Sequence, residues 1–298
     1  MSDPTPHLTL IDGSSMIQRA WAVAGKEQGP NGEEVGAVRV FSRMTMKILR
    51  RMGQGSFPPT AIAVLFDPPR DGTWRRVLSP EYKAHRPDQD PALTSQIVLS
   101  RLMCDALGIA QGVCDTHEAD DMIAGYALDA HTEGMKVSIV SADKDLMQLV
   151  RRGIMQFSPT AGKDGTWYNS AKVEEKFGVG PELVADHLAL TGDSGDGVKG
   201  APGIGPKSAT ALLREFGSLD EVILRAQHIT RPAWRKSVEE NAEALRLARR
   251  LVSLDPEGCA RPFTLEQARM PHIRDVSERL EAWGREALGD SDAGPYGP

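Results

Sequence analysis

Three short apolar runs in this chain are each followed by an aspartate. Stretches with helical periodicity alternate with these runs, which predicts a parallel, doubly wound sheet whose strands are buried on both faces. Ligands of such sheets bind beyond the carboxyl ends of the strands. A single aspartate at a strand end is as easily a turn residue, but three of three indicate a common site. The runs and their aspartates are 8–11 with Asp12, 61–66 with Asp67, and 137–140 with Asp143.

The helical periodicity falls into two groups. The first group alternates with the strands, and the second begins near residue 170 without strands between its members. We therefore expect an α/β core followed by a smaller helical unit. The predicted helices are roughly 14–24, 35–52, 92–107 and 118–133 in the first group, and 170–177, 181–191, 206–216, 218–226 and 233–254 in the second.

Acidic residues form three further clusters, and the first of them begins a predicted helix. Complementarity with the helix dipole favours acids there by only about 0.3–1 kcal/mol. Three acids within four residues also repel one another, so the dipole alone does not explain them. The clusters are Glu118, Asp120 and Asp121; Asp143 and Asp145; and Asp193 and Asp196.

These clusters, together with Asp12 and Asp67, supply nine carboxylates without histidine or cysteine. Oxygen donors of this kind favour Mg²⁺ or Mn²⁺ over Zn²⁺. Two such ions about 4 Å apart can hold the attacking and leaving oxygens of a phosphodiester. Nine carboxylates are enough for two ions and too many for one. The sequence therefore predicts two divalent metal ions that act on phosphate.

The net charge of −6 by itself argues against a nucleic-acid partner. The nine predicted metal ligands are part of the 41 acids, and the other 32 acids face 35 lysines and arginines, a balance of +3. If metal ions neutralise the nine carboxylates, the remaining surface is mildly basic, which is compatible with a nucleic acid.

Cysteine usage and hydropathy predict the compartment. Cys104, Cys114 and Cys259 show neither paired nor metal-type spacing, which favours a reduced, cytoplasmic protein. No apolar run reaches the length of about 18 residues that a membrane span requires, and the first residues lack the pattern of an export signal.

A basic, aromatic segment occupies residues 70–90. Such a loop suits a single nucleic-acid strand, because rings stack on bases and cations contact phosphates. An ordinary solvated loop explains the composition equally well. The cations are Arg70, Arg75, Arg76, Lys83, His85 and Arg86, and the rings are Trp74 and Tyr82.

A glycine-rich turn follows the last acidic cluster at residues 203–208. Gly203 and Gly205 allow backbone N–H groups to approach a phosphate, and Pro206 suits the first turn of the next helix. With Lys207 and Ser208, the turn resembles that of a helix–hairpin–helix, which binds duplex DNA by its backbone.

In their order and approximate spacing, these motifs resemble those of the flap endonuclease superfamily. They are most similar to the motifs of the 5′-3′ exonuclease domain at the N-terminus of bacterial DNA polymerase I. The resemblance covers residues from about 8 to about 255, in a chain that looks free-standing. The matching stretches are Leu10-Ile-Asp12-Gly-Ser-Ser, Phe66-Asp67-Pro, Pro80-Glu-Tyr82-Lys83-Ala-His-Arg86-Pro, Glu118-Ala-Asp120-Asp121, Val140-Ser-Ala-Asp143-Lys-Asp145, Leu190-Thr-Gly-Asp193-Ser-Gly-Asp196 and Pro202-Gly-Ile-Gly-Pro-Lys207.

The resemblance implies a PIN- or resolvase-like parallel-sheet core and a helix–3-turn–helix subdomain. It implies a catalytic domain over 1–175 with an arch or clamp near 70–100, a DNA-binding subdomain with C-terminal helices over 176–285, and a mobile tail over 286–298. The implied ligands are Asp12, Asp67, Glu118, Asp120 and Asp121 for the first metal ion, Asp143, Asp145, Asp193 and Asp196 for the second, and the backbone of Val198, Ala201 and Ile204 for K⁺.

The resemblance also implies roles outside the metal ligands. Lys83 and Arg86, with help from Arg75, would engage the scissile phosphate. Further DNA contacts would come from Tyr82 and from the turn with Gly203, Gly205, Lys207 and Ser208.

The implied activity is two-metal hydrolysis of 5′ flaps and 5′ ends of DNA, including RNA-primed ends, in replication and repair by a monomer. Two alternatives stay open. One is a DNA-junction binding protein without nuclease activity, which the presence of all three acidic clusters disfavours. The other is an RNase-H-like or RNA-directed nuclease of PIN-type fold, which the duplex-binding turn disfavours.

Overall fold

The computed structural model describes residues 6–54, 58–69 and 71–289. Its packing contacts divide the chain into two compact units. The sheet unit comprises residues 1–68, 88–141 and 256–298, and the helical unit comprises residues 69–87 and 142–255. The units interleave along the chain, whereas the predicted domains 1–175 and 176–285 are continuous stretches that stay a prediction. Arg70 and residues 290–298 of the predicted tail lie outside the described residues, and residues 286–288 of that tail belong to a helix.

The strands and helices are numbered in chain order. The strands are β1 His7–Asp12, β2 Ala61–Phe66, β3 Ala110–Val113, β4 Lys136–Val140, β5 Ile154–Ser158, β6 Thr166–Tyr168, β7 Gly192–Asp193 and β8 Val198–Lys199. The helices are α1 Gly13–Val23, α2 Gly36–Gly53, α3 Trp74–Leu78, α4 Pro91–Leu107, α5 Ala119–Thr132, α6 Ser170–Phe177, α7 Val184–Thr191, α8 Pro206–Phe216, α9 Leu219–Leu224, α10 Pro232–Glu240, α11 Ala242–Val252 and α12 Ile273–Leu288. Short 3₁₀ helices cover Asp145–Leu149, Pro181–Leu183 and Ala226–His228.

The sheet unit contains four parallel strands in the order β3-β2-β1-β4. Every residue of β1 and β2 is buried, as expected for strands covered on both faces. In the register of the sheet, Asp12 lies opposite Leu65, and Ile11 lies opposite Val140. The carboxyl ends of β1, β2 and β4 therefore meet at one edge, as the apolar runs predicted, and the α/β parallel-sheet core is confirmed.

The helical unit packs helices around an apolar cluster that includes Leu188, Leu212, Phe216 and Leu251. Two antiparallel pairs, β5 with β6 and β7 with β8, also belong to it. The β7–β8 pair connects α7 to the turn before α8, and Pro206 occupies the first turn of α8. This arrangement corresponds to the helical subdomain that the sequence predicted.

Two differences from the predicted helices lie in the last part of the chain. The single helix expected over 233–254 is two helices, α10 and α11, which separate at Asn241. The Asn241 side chain donates to the carbonyl of Ser237 at 2.7 Å, a local bond that competes with the helical backbone. Helix α12 was not predicted as a separate element; its buried residues Val276, Leu280, Gly284 and Leu288 lie four positions apart and form one helix face.

Among the described helices, none combines the length and the hydropathy that crossing a bilayer requires.

Candidate metal and nucleic-acid site

In the sheet unit, Asp12 and Asp67 lie at the ends of adjacent strands. Asp12 is buried; it caps α1 by accepting from the Ser15 N–H at 2.9 Å, and its other oxygen accepts from Ser141 Oγ at 2.7 Å. The N–H of Asp67 donates to Ser14 Oγ at 2.7 Å. These hydrogen bonds define the direction of the Asp12 carboxylate and hold the backbone of Asp67 before any ligand binds.

The start of α5 joins this edge of the sheet. The Ala119 N–H donates to Asp67 Oδ1 at 2.7 Å, so one carboxylate of the sheet caps the helix that carries the first acidic cluster. In that cluster Glu118 and Asp121 are buried, and Asp120 is partly exposed. The structure thereby brings the strand end at Asp67 to the acidic start of α5.

In the helical unit, Asp145, Asp193 and Asp196 form a cluster whose carboxylate oxygens lie within 4.8 Å of one another. Asp143 is exposed and accepts from the Asp145 N–H at 2.8 Å. The Gly195 N–H donates to Asp193 Oδ1 at 3.0 Å and fixes that side chain in its loop. The two sequence clusters 143–145 and 193–196 therefore meet through side chains that lie far apart along the chain.

The carboxylate of Asp145 lies in an environment that disfavours its negative charge. Burial and the neighbouring charge of Asp143 raise the pKa of its carboxyl to about 8. Among the described atoms, its buried Oδ1 has no hydrogen-bond partner, and the Lys144 ammonium lies 3.5 Å away. An acid in this condition has lost its hydration without a full replacement, which a bound cation would provide.

Lys144 places its ammonium inside the acidic cluster. It pairs with Asp193 and with Asp145. Burial alone would lower the pKa of this lysine, but the charges of Asp145 and Asp193 outweigh burial and raise it. Sequence reasoning missed Lys144, although its position between two predicted metal ligands was a usable signal.

Lys83 and Arg86 both lie beside Asp196. The Arg86 guanidinium contacts Asp196 Oδ1 at 2.7 Å and the Gly195 carbonyl at 2.9 Å, and Lys83 Nζ lies 3.7 Å from Asp196 Oδ2. Lys83 has a φ of 53°, a left-handed conformation that is unusual for a residue with a side chain, and its N–H donates to the Asp196 carbonyl at 2.9 Å. The backbone therefore holds Lys83 against the acidic loop at some conformational cost.

Two residues of the same segment are placed differently from what the sequence suggested. The Arg75 guanidinium is buried and donates to the carbonyls of Leu251 and Ser253, both at 2.8 Å. Tyr82 has a ring that is only 3% exposed, and its hydroxyl donates to Asp196 Oδ2 at 2.8 Å. Tyr82 therefore cannot offer its ring to a base, because the ring belongs to the core of the helical unit.

The glycine-rich turn presents an open backbone. Gly203 has a φ of 76°, which glycine adopts without strain, and an added Cβ at Gly203 or Gly205 would meet no atom within 4 Å. Lys207 is exposed, and Ser208 is partly exposed, in the first turn of α8. Open backbone at the N-terminal end of a helix with an exposed lysine beside it suits a phosphate.

The three positions predicted for K⁺ lie in this part of the helical unit. Val198, Ala201 and Ile204 are buried, and the Ala201 carbonyl accepts from the Ile204 N–H at 3.0 Å.

Sequence reasoning also missed a group in the sheet unit. Cys114, His117 and Cys259, which showed no metal-type spacing as cysteines alone, are buried with their donor atoms within 4.8 Å of one another. Burial raises the pKa of the Cys114 thiol, but hydrogen bonds, the largest from the Thr116 and Ala260 N–H groups, reverse this and lower it to about 7. The available signal was the Cys-x-x-His spacing of residues 114 and 117.

Comparison with known proteins gives a consistent result over nearly the whole chain. The profile of the 5′-3′ exonuclease N-terminal resolvase-like domain matches residues 7–178, and that of the 5′-3′ exonuclease C-terminal SAM fold matches residues 179–275. The chain is 40% identical over 251 residues to DNA polymerase I of Rhizobium leguminosarum, a match of 83% of this chain and 24% of the polymerase. It thus spans about a quarter of the length of that relative.

A shorter relative and a solved structure match over their full extent. Flap endonuclease Xni of Pectobacterium carotovorum subsp. carotovorum (strain PC1) is 31% identical over 272 residues, 91% of this chain and 97% of the relative. The 5′-exonuclease of phage T5 with bound zinc ions shares the fold with a TM-score of 0.69 at 20% identity, over 94% of this chain and 97% of that chain. The protein described here therefore belongs to the 5′-3′ exonuclease family.

Proposed function

We propose that this protein is a structure-specific 5′ nuclease that hydrolyses phosphodiester bonds of DNA with the help of divalent metal ions. The observation that carries the proposal is the cluster of Asp145, Asp193 and Asp196 with Lys83 and Arg86 beside Asp196. Carboxylates hold metal ions, and lysine and arginine neutralise charge on phosphate, so this combination suits a phosphodiester. Membership of the 5′-3′ exonuclease family supports the same activity.

The acidic cluster of the helical unit fits a divalent cation. Asp145 is buried, repelled by neighbouring acids and short of a hydrogen bond, and a cation would relieve all three conditions. Because all the donors are oxygens, Mg²⁺ or Mn²⁺ is the expected ion. We assign Asp143, Asp145, Asp193 and Asp196 to this ion, the second of the two.

The other donor set lies in the sheet unit, where strand ends and the start of α5 gather carboxylates. We assign to the first ion Asp12, Asp67, Glu118, Asp120 and Asp121. When bound, such ions make water a better nucleophile at neutral pH and stabilise the charge of the leaving oxygen. The residues themselves provide fixed donor directions, since Ser141, Ser14 and the Ala119 N–H hold the two strand-end aspartates.

Lys83 and Arg86 are the proposed catalytic cations. In the structure they pair with Asp196, so a phosphate that arrives at the cluster meets two cations already held in position. Preorganised cations of this kind stabilise charge that develops on the phosphate in the transition state. Arg75 is not one of the proposed catalytic residues, because its guanidinium donates hydrogen bonds to the carbonyls at the end of α11.

The turn at residues 203–208 is the proposed contact with duplex DNA. Gly203, Gly205, Lys207 and Ser208 would hold the backbone of the duplex without reading its sequence. A K⁺ ion at the carbonyls near residues 198–204 would add positive charge to this turn. Tyr82 is not among the proposed DNA contacts. Its proposed role is to orient Asp196 through a hydrogen bond from its hydroxyl.

The proposed substrates are 5′ flaps near their junction with duplex and free 5′ ends, including RNA-primed ends, in DNA replication and repair. A relative named flap endonuclease matches this chain over nearly its whole length, which supports this substrate class. A monomeric state, a cytoplasmic location and the domain boundaries near 175 and 285 remain predictions.

The direct test is cleavage of a 5′-flap DNA that carries a label at the 5′ end. We expect products that end near the junction in Mg²⁺ and no products in EDTA. A protein that binds the flap but never cuts it would be the DNA-junction binding protein. Preference for a single-stranded RNA of the same sequence over the flap would identify the RNA-directed nuclease instead.

Lys83 provides the sharper test. Lys83→Met keeps most of the side-chain length and removes the charge, so its single-turnover rate in Mg²⁺ should fall about 10²-fold, while flap binding in Ca²⁺ changes only a few-fold. The matched control is Lys172→Met, which removes the charge of an exposed lysine of the same unit. A Lys83→Met protein that binds far worse and cuts normally at saturation would make Lys83 a tether for the strand.

A further inference from the structure

Cys114, His117 and Cys259 bring two sulfur donors and one imidazole together in the sheet unit. Their donor atoms all lie within 4.8 Å of one another, and each residue is at most 6% exposed. None of the three is among the carboxylates assigned to the proposed nuclease site. The set also differs from that site in chemistry, because thiolate and imidazole are softer ligands than carboxylate.

A tight turn holds the first two ligands. Cys114 and His117 form an isolated antiparallel bridge in which the His117 N–H donates to the Cys114 carbonyl at 3.4 Å. Their side chains point the same way, so Cys114 Sγ lies 4.0 Å from His117 Nδ1. The hydroxyl oxygen of Thr116 lies 2.9 Å from the same ring nitrogen, and this contact would give way when the nitrogen binds an ion.

The third ligand comes from a segment that is fixed to α5. The Tyr126 hydroxyl donates to the Phe263 carbonyl at 2.7 Å, and the two rings stack at 4.4 Å between centroids. Arg261 pairs with Asp129 at 2.8 Å and donates to the Cys259 carbonyl. The Arg261 guanidinium packs directly over Gly125, where an added Cβ would lie 2.1 Å from it. Cys259 is therefore held beside the turn by contacts that do not involve its sulfur.

These distances suit a tetrahedral ion. Zn²⁺ with bonds of about 2.3 Å to sulfur and about 2.0 Å to nitrogen separates its ligand atoms by about 3.5–3.8 Å. The Cys114–His117 pair at 4.0 Å would need to close by only a few tenths of an ångström. Cys114 Sγ also lies 3.7 Å from the Thr116 hydroxyl, which can donate a hydrogen bond to a thiolate.

We propose that Cys114, His117 and Cys259 bind one Zn²⁺ ion, with water in the fourth position. The ion would tie the turn before α5 to the segment around Cys259. Glu118, Asp120 and Asp121 follow His117 directly, so the ion would fix the start of the helix that carries the first acidic cluster. Its role is thus to stabilise the sheet unit.

Cobalt substitution tests the site independently of nuclease activity. Thiolate bound to Co²⁺ absorbs strongly in the near ultraviolet, and a tetrahedral Co²⁺ site gives intense visible bands; an all-oxygen octahedral site gives neither. We expect reduced full-length protein, stripped of metal and titrated with Co²⁺, to show both features at about one equivalent. Zn²⁺ should then abolish the bands by displacing the cobalt.

The matched variants are Cys259→Ser and Cys104→Ala. Cys104 is a buried cysteine of the same unit that does not belong to the cluster. We expect Cys104→Ala to keep the thiolate band and Cys259→Ser to lose it, with circular dichroism to verify that each variant is folded. Zn²⁺ should raise the midpoint of thermal unfolding of the wild type and of Cys104→Ala, with a much smaller effect on Cys259→Ser.

Three outcomes would overturn the proposal. The first is wild-type protein with three titratable thiols that shows no thiolate band with Co²⁺. The second is a band that survives in Cys259→Ser. The third is a Cys114–Cys259 disulfide, seen by mass spectrometry under non-reducing conditions, that re-forms in the presence of excess Zn²⁺.

Discussion

Arg75 and Arg86 come from the same basic segment, and the structure predicts opposite consequences for their loss. Arg75 is 3% exposed and donates to the carbonyls of Leu251 and Ser253 at the end of α11. These carbonyls have no partner within the helix, and a positive charge there also complements the helix dipole. The arginine therefore serves as a buried cap that joins α3 to α11.

The loss of folding stability expected for Arg75→Ala follows from these contacts. A hydrogen bond that involves a charged group contributes about 1.5–3 kcal/mol, so losing two costs about 3–5 kcal/mol once the chain relaxes. For a protein of this size, each kcal/mol lowers the midpoint of thermal unfolding by about 2–4 °C. We expect Arg75→Ala to melt about 10 °C below the wild type and to cleave at a near-normal single-turnover rate at a temperature where it is folded.

Arg86→Ala should behave in the opposite way. The Arg86 side chain is 38% exposed, and its pairing with Asp196 is accessible to water, so its loss should cost less than about 1 kcal/mol. The midpoint of thermal unfolding should fall by no more than about 3 °C. If Arg86 neutralises charge on the scissile phosphate, the single-turnover rate should fall about 10²-fold.

The assay combines calorimetry in EDTA with single-turnover cleavage of a 5′-flap DNA in Mg²⁺. Circular dichroism at the assay temperature shows whether each variant is folded. An Arg75→Ala protein with normal melting and a rate reduced about 10²-fold would return Arg75 to the catalytic set. If Arg86→Ala instead melts far below the wild type and cuts normally once folded, the assignment of Arg86 to the phosphate is wrong.

Three further predictions concern single residues. Burial and Asp143 raise the pKa of Asp145 to about 8 in the folded protein from 3.8, so the metal-free protein should lose stability as the pH rises between these values. Asp145→Asn should flatten this pH dependence in thermal melts with EDTA, and it should abolish cleavage. If the pH dependence of the melting midpoint is unchanged in Asp145→Asn, Asp145 is not the group that causes it. Lys207→Ala should lower the salt slope of duplex binding by about one unit, and Lys172→Ala, an exposed control, should leave it unchanged. Tyr82→Phe removes the donor to Asp196 at 2.8 Å and should reduce cleavage in Mg²⁺ by about tenfold without weakening flap binding in Ca²⁺; equal rates would exclude an orienting role.

The parallel core was predictable because its signal is local. Buried strands such as 8–11 and 61–66 are continuous apolar runs, and the aspartate after each run marks the edge where ligands bind. Strand β3 was missed for the same reason, since Ala110–Val113 is mostly half-buried and contains no apolar run. Helix α12 was missed although four of its buried positions repeat every four residues.

Within the site, the sequence indicated which residue types matter and the tertiary structure decided how each is used. Arg75 and Arg86 are indistinguishable by composition, yet one is buried against helix-end carbonyls and the other lies at the acidic cluster. Tyr82 has the composition of a stacking residue, but its ring is in the core.

Local patterns were enough to establish the fold class, the order of the acidic motifs and the family, because each depends on residues that are close together along the chain. Which distant residues become neighbours depends on the folding of the whole chain. Cys259 meets Cys114 and His117 because the segment after residue 255 returns to α5, where Tyr126 and Asp129 hold it. The Cys-x-x-His spacing marks only Cys114 and His117, and no spacing rule reveals Cys259, because its distance along the chain from them is set by the path of the backbone.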